Sequence, residues 1–135
     1  MIRYMLDTNV VSDLMKQAIG RTAQRIALSD EDELCTSIIV VAELRFGLAR
    51  RNMPHLFGRL EAVLAGLSVL PWDAPADMSY ASMRAALEYG GLLIGANDML
   101  IAAHALAQDC TLVTDNEREF RRVAGLRVEN WLRAD

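Results

Sequence analysis

Four short apolar runs in this chain each carry a carboxylate at or near an edge, and that placement limits what the chain can fold into. Asp7 follows Ile2-Arg3-Tyr4-Met5-Leu6, and Glu43 lies within Ile38-Ile39-Val40-Val41-Ala42-Glu43-Leu44. Asp98 precedes Met99-Leu100-Ile101-Ala102-Ala103, and Asp115 follows Thr111-Leu112-Val113-Thr114. A carboxylate beside a buried segment is costly unless it is paired, hydrogen-bonded or bound to a metal. Gathered in one place such groups also repel, each pair by about 4 kcal/mol at ~4 Å and an effective dielectric of ~20. Few basic residues stand within these runs to offset that repulsion. The pattern therefore points to a divalent cation held by carboxylates alone.

The same runs set the fold class. Residues 2–6, 34–36, 68–70, 111–113 and 127–128 read as short strands. The first strand is expected to end at Asp7 and a helix capped by Thr8 or Asn9 to run to Lys16, with a second over 22–28. Ser37 is expected to cap a helix over 38–51, and helical spacing of Leu56, Phe57, Leu60, Val63, Leu64 and Leu67 predicts another. Further helices are expected from Ala74-Pro75 to Tyr89, from an Asn97 cap to Ala107, and over 117–121. Short strands alternating with helices predict an α/β fold with a parallel sheet between two helical layers, in a single domain over residues 1–135. In such a sheet, ligands bind beyond the carboxyl ends of the strands. Asp7 and Asp115 follow the first and fourth strands, while Glu43 and Asp98 belong to helices that start near the same edge. All four are expected to converge on one cleft.

Composition narrows the function. With 135 residues, 53% of them hydrophobic, the chain can bury its own core and is not of the disordered class. No apolar run reaches the ~18 residues of a membrane span. The N-terminus enters a strand at once, with no visible secretory leader. Cys35 and Cys110 lack any CxxC spacing and read as buried free thiols of a reducing compartment, so a cytoplasmic location is expected. A net charge of −4 does not favour a simple nucleic-acid-binding module. The arginines are clustered, however: Arg45, Arg50 and Arg51 follow Glu43, and Arg118, Arg121 and Arg122 follow Asp115. Basic rims around an acidic, metal-loaded centre suit a phosphodiester.

The segments Leu6-Asp7-Thr8-Asn9, Ala42-Glu43-Leu44, Gly95-Ala96-Asn97-Asp98 and Val113-Thr114-Asp115-Asn116, in that order, resemble the PIN-domain ribonucleases, and among them the VapC-type toxins of bacterial toxin–antitoxin pairs. Ile101-Ala102-Ala103-His104-Ala105, Arg118-Glu119-Phe120 and Leu126-Arg127-Val128-Glu129-Asn130-Trp131 extend the resemblance over nearly the whole chain. It implies a PIN-like three-layer α/β/α fold and a Mg²⁺-dependent endoribonuclease, with Mn²⁺ substituting, that cuts structured RNA such as tRNA. It also implies a homodimer neutralised by a cognate VapB-type antitoxin, which inserts an arginine among the carboxylates. Residue by residue, the family's first three acids fall on Asp7, Glu43 and Asp98, and its polar lining positions on Thr8 and Thr114. The fourth acid is often two residues after the threonine, which here is Asn116. Asp115, one residue early, and Glu119 are the other candidates, so the choice between one and two ions stays open.

The chemistry agrees with hard-cation rules. Mg²⁺ takes oxygen ligands and keeps several waters, so two or three carboxylates suffice. Such an ion polarises a phosphoryl oxygen and acidifies a bound water. No histidine or cysteine is required, and His55 and His104 read as structural or surface residues. Two competing readings fit less well. A haloacid-dehalogenase-type phosphatase wants a second aspartate two residues after the first, where this chain has Asn9. A catalytically inactive PIN-like binding module would keep Asp7, Glu43 and Asp98 at a cost in stability. No base-reading motif identifies the RNA target. Apolar residues at 56–64 and 78–87 exceed what one buried face needs, and are expected to form interfaces.

Overall fold

Arg3–Leu6 (β1) lies at the centre of a five-stranded parallel sheet in a computed structural model that describes residues 2–133. Helices Thr8–Lys16 (α1) and Arg21–Ala27 (α2) lead to Leu34–Ser37 (β2). Ile38–Arg51 (α3) and Phe57–Ala65 (α4) lead on to Ser68–Leu70 (β3). Ala76–Tyr89 (α5) and Ala96–Ala107 (α6) return the chain to Cys110–Val113 (β4), and Glu117–Phe120 (α7) connects to Val128–Glu129 (β5). The strand order is β3-β2-β1-β4-β5. From β1 the chain therefore moves outward to β3, then crosses to the opposite side for β4. The carboxyl ends of β1 and β4 form the point where strand order reverses, the usual location of a crevice in open parallel sheets.

The inner strands are buried on both faces, which explains why they read as unbroken apolar runs. Met5, Leu6, Val10, Val11, Leu60, Ile101, Leu112 and Phe120 are fully buried and join sheet to helices in one core. Each such side chain contributes roughly 1.5–3 kcal/mol by leaving water. The edge strands β3 and β5 are short and only partly covered. Among the described residues, no helix is long and apolar enough to cross a membrane. Cys35 and Cys110 are buried free thiols whose sulfurs stand 3.8 Å apart.

Several local expectations shift, each for a physical reason. Asp7 itself caps α1, its Oδ1 accepting from the Thr8 amide at 2.8 Å, and neither Thr8 nor Asn9 takes that role. Helix α6 starts at Ala96 behind Gly95, so Asn97 is not its cap. Pro54 opens a 3₁₀ turn over Pro54–Leu56, which delays α4 to Phe57, and Gly66 ends it before Leu67. Helix α5 begins at Ala76, with Pro75 at the cap position, because the Ala76 amide turns back to the Asp73 carbonyl at 2.8 Å. The last strand is Val128–Glu129, one residue later than its apolar pattern indicates. Ser37 caps α3 as expected, accepting from the Ile39 amide at 3.1 Å.

Candidate active site

The register of β1 against β4 decides what meets at the switch point. Leu6 lies opposite Val113, so Asp7 and Thr114 leave the sheet side by side, and the Asp7 amide still donates to the Val113 carbonyl at 2.9 Å. The Asp7 carboxylate is almost entirely buried. Thr114 Oγ1 donates to its Oδ2 at 2.7 Å, and the Asn9 side-chain amide reaches the same oxygen at 3.4 Å. Thr114 is fixed in turn, since its hydroxyl accepts from the Asn116 backbone amide at 2.9 Å. These donors favour the charged form, yet burial is the larger effect and pushes the Asp7 carboxyl above its ordinary range, with Glu43 adding repulsion.

Glu43 arrives from the second turn of α3, which the Ser37 cap anchors at the end of β2. Thr8 Oγ1 donates to its Oε1 at 2.7 Å and the Asn97 side-chain amide to its Oε2 at 3.3 Å. Asp98, in the first turn of α6, is half-buried and poorly supplied with donors. Asn116 Nδ2 approaches its Oδ2 only at 3.5 Å, while bonding Glu119 Oε2 at 3.1 Å. Burial, a hydrogen-bonded Glu119, and the charges of Asp7, Glu119 and Glu43 push the Asp98 carboxyl up to about 7. A carboxyl in that range sits where four acids share one space. A Cβ at Gly95 would stand 3.3 Å from Asp98 Oδ2, so a side chain there would press on that carboxylate.

Asp7, Glu43, Asp98 and Glu119 therefore gather around the ends of β1 and β4, with Thr8, Thr114 and Asn116 between them. Asp115 is placed otherwise. It is solvent-exposed, its carboxylate is held by Asn130 Nδ2 at 3.0 Å, and its backbone amide donates to Asn9 Oδ1 at 3.0 Å. Asn9 and Asn97 belong to the site although the sequence reads both as helix caps. Their position beside acids, in Asp7-Thr8-Asn9 and Asn97-Asp98, is the signal that marks them. His104 is buried under α3 and pairs its Nδ1 with Ser37 Oγ at 2.7 Å, which fits a structural role. His55 lies in an exposed 3₁₀ turn.

The donors are all hard oxygens. Among the described residues, no three His, Cys, Asp or Glu side chains stand close enough to enclose an ion by themselves. An all-oxygen donor set suits Mg²⁺, which binds through one or two carboxylates and keeps several waters. Burial and then the repulsion of neighbouring acids raise the proton affinity of Asp98, and a divalent ion relieves that repulsion. The residues present fit the ion.

A profile of the PIN domain matches residues 4–126. Ribonuclease VapC2 of Rickettsia felis is 37% identical over 130 residues, spanning 95% of this chain and 97% of that relative. The tRNA(fMet)-specific endonuclease VapC of Shigella flexneri is 34% identical over 132 residues, spanning 97% and 99%. The crystal structure of VapBC2 from Rickettsia felis bound to a DNA fragment from their promoter contains a chain that superposes with a TM-score of 0.90 at 35% identity, covering 97% of this chain and 99% of that one. Matched end to end by such relatives, and carrying four acids at the switch point of a parallel sheet, the chain belongs to the PIN-domain family and within it to the VapC ribonucleases.

Proposed function

We propose that the chain is a Mg²⁺-dependent endoribonuclease toxin that cleaves structured RNA, tRNA foremost, and is held inactive by a VapB-type antitoxin. The observation that carries this reading is the gathering of Asp7, Glu43, Asp98 and Glu119 at the ends of β1 and β4, where burial first and then the neighbouring acids raise the Asp98 carboxyl to about 7. Asp7, Glu43 and Asp98 would hold the ion, with Glu119 beside them. When bound, the ion supplies positive charge for the phosphoryl oxygens and an acidified water as nucleophile. Thr114 and Asn9 fix the Asp7 carboxylate, and Thr8 and Asn97 fix Glu43, so these acids need little reorganisation when substrate arrives. Asn116 spans Asp98 and Glu119 and keeps the two carboxyls at one rim of the cleft. Glu119 takes the fourth acidic position, since Asp115 is turned toward Asn130. The tRNA assignment follows the name of the Shigella flexneri relative.

The partner reading rests on a groove of ≈ 630 Å³ beside the acids, lined by Met15, Ile39, Leu44, Phe46 and Leu56 together with Glu43 and Asn97. Phe46 is 64% exposed there. An amphipathic antitoxin helix can bury its apolar face in such a groove, with a basic tail ending among the carboxylates. A guanidinium binds carboxylates bidentately, and so would replace the ion's charge while blocking its water. A homodimer is assigned to the exposed apolar residues Met78, Tyr89, Leu92 and Leu93. A cytoplasmic location accords with the two free thiols.

The test is to incubate the purified chain with bulk tRNA, with Mg²⁺, with chelator, and with Mg²⁺ restored. Cleavage that stops on chelation and returns on restoration is expected. Cleavage indifferent to chelator would contradict the metal assignment, and intact tRNA throughout would contradict the substrate.

A further inference from the structure

Helix α7 separates two regions of opposite charge. Glu119 faces Asp98 and the acid cluster, while Glu117 faces a polar cleft of ≈ 510 Å³ lined by Arg21, Arg25, Arg121, Arg133 and Trp131. Glu117 binds Arg121 at 2.9 Å and Arg133 at 2.7 Å, and Glu129 accepts from the Trp131 indole at 3.0 Å. The cleft thus holds four guanidiniums against two carboxylates, in a chain whose net charge is −4.

Two of the arginines have no acidic partner among the described residues. Arg21 is exposed at the start of α2 and makes no hydrogen bond there. Arg25 is half-buried, its guanidinium 4.6 Å from the Trp131 ring centroid and 5.3 Å from that of Tyr4, and those two rings pack 5.1 Å apart. It donates only to neutral groups, Ser29 Oγ at 2.9 Å and the Tyr4 hydroxyl at 3.4 Å. A guanidinium has five N–H donors, so several remain for an anion. The aromatic faces fix its plane, and a fixed planar fork matches a phosphate bidentately. The cleft lies next to the acid cluster, because Glu117, which lines the cleft, and Glu119, which faces Asp98, are two residues apart on α7.

A polyanion approaching four carboxylates is repelled, so a nuclease of this charge needs cationic groups nearby to hold it. We infer that the Arg21–Arg25 cleft across α7 binds the phosphodiester backbone of the RNA substrate beside the scissile site. This rests on the nuclease reading above for the identity of the polyanion. Arg25 is the oriented phosphate ligand, and Arg21 is a second contact at the mouth.

The experiment measures binding of fluorescently labelled bulk tRNA by anisotropy, in chelator, across a salt series, so that no cleavage intervenes. Arg21→Gln and Arg25→Gln are each expected to weaken binding several-fold and to reduce the slope of log K against log salt by about 1. Arg84→Gln, on α5 outside the cleft, is expected to leave both unchanged. Arg21 is exposed and its side chain has no partner among the described residues, so its variant keeps the test valid even if Arg25→Gln fails to fold. Unchanged affinity and slope in Arg21→Gln would overturn the assignment. So would an equal loss in Arg84→Gln, which means diffuse attraction, or loss of antitoxin binding with tRNA binding intact, which gives the cleft to a protein partner. If wild type binds tRNA through these arginines yet never cleaves it with Mg²⁺ present, the nuclease reading fails and the cleft stands.

Discussion

Asp98 is the residue at which function and stability oppose each other most clearly. Its carboxyl ionises near pH 7 in the folded chain, against an ordinary value of 3.8, because burial and three neighbouring acids disfavour the charge. A raised carboxyl pKa means the folded state holds its proton more tightly than the unfolded state does. The stabilisation is complete below about pH 4 and is lost as pH rises through about 7. Without metal, wild type should therefore lose stability between those limits, and Asp98→Asn should lose less, since only the raised Asp7 carboxyl remains to contribute. At pH 8 and in chelator, the variant should be more stable by about 1 kcal/mol, once solvent screening at this half-exposed site is allowed for. Urea titrations of both proteins at pH 4 and pH 8 check this, and a variant that is less stable at pH 8 contradicts the crowding. The same substitution should silence RNA cleavage. Asn116→Ala, which removes the amide that Asp98 and Glu119 share, should cost activity by 10–100-fold, as loss of a ligand-orienting partner typically does. Asp7 was legible as a buried strand-end acid. The division of labour between Asp115 and Glu119 was not, because a turn of one residue more or less decides which carboxylate faces the cleft.

At the scale of elements, strands and helices were readable wherever burial on both faces made the apolar run continuous, as in β1, β2 and β4. Several of the errors fall at helix starts, where one side chain can serve either the backbone or the site. Asn9 and Asn97 look like caps by composition, but their amides serve Asp7 and Glu43, and the backbone is capped by Asp7 and left to Gly95. The α4 pattern also divides as periodicity alone does not show. Leu60 is fully buried and Phe57 is 44% exposed, so the apolar stripe serves core and surface together. Leu60→Ala should cost roughly 2–5 kcal/mol, measurable by chemical denaturation. Phe46, on the exposed side of α3, makes a different test. Phe46→Glu should weaken antitoxin binding by ~30-fold, or about 2 kcal/mol, while RNA cleavage by the free toxin stays the same. Titration of inhibition against purified antitoxin measures the first effect, and inhibition at wild-type antitoxin concentrations would remove the groove from the docking surface.

For the whole molecule, the parallel sheet does little chemistry itself but brings together acids more than a hundred residues apart in sequence, from Asp7 to Glu119. That convergence follows from the reversal of strand order between β1 and β4 and could be inferred from sequence only as a class of fold; the register of Leu6 against Val113 gives it atoms. An ion that binds only the folded arrangement should raise the melting temperature by mass action, by ~2.7 kcal/mol of stability at a concentration one hundred times its Kd. A melting curve unmoved by Mn²⁺ would leave the acids without their proposed counter-charge. Light scattering should return twice the chain mass if Met78, Tyr89, Leu92 and Leu93 pair two copies. The most direct measurement is Mg²⁺-dependent cleavage of bulk tRNA by Asp7→Asn beside wild type, with melting curves to show that both are folded. Asn retains the shape and the Thr8 cap interaction but removes the buried charge at the centre of the site, so activity should fall by more than ~100-fold in a folded protein, beyond the loss of an outer partner. Undiminished cleavage by folded Asp7→Asn would contradict the carboxylate–metal mechanism itself.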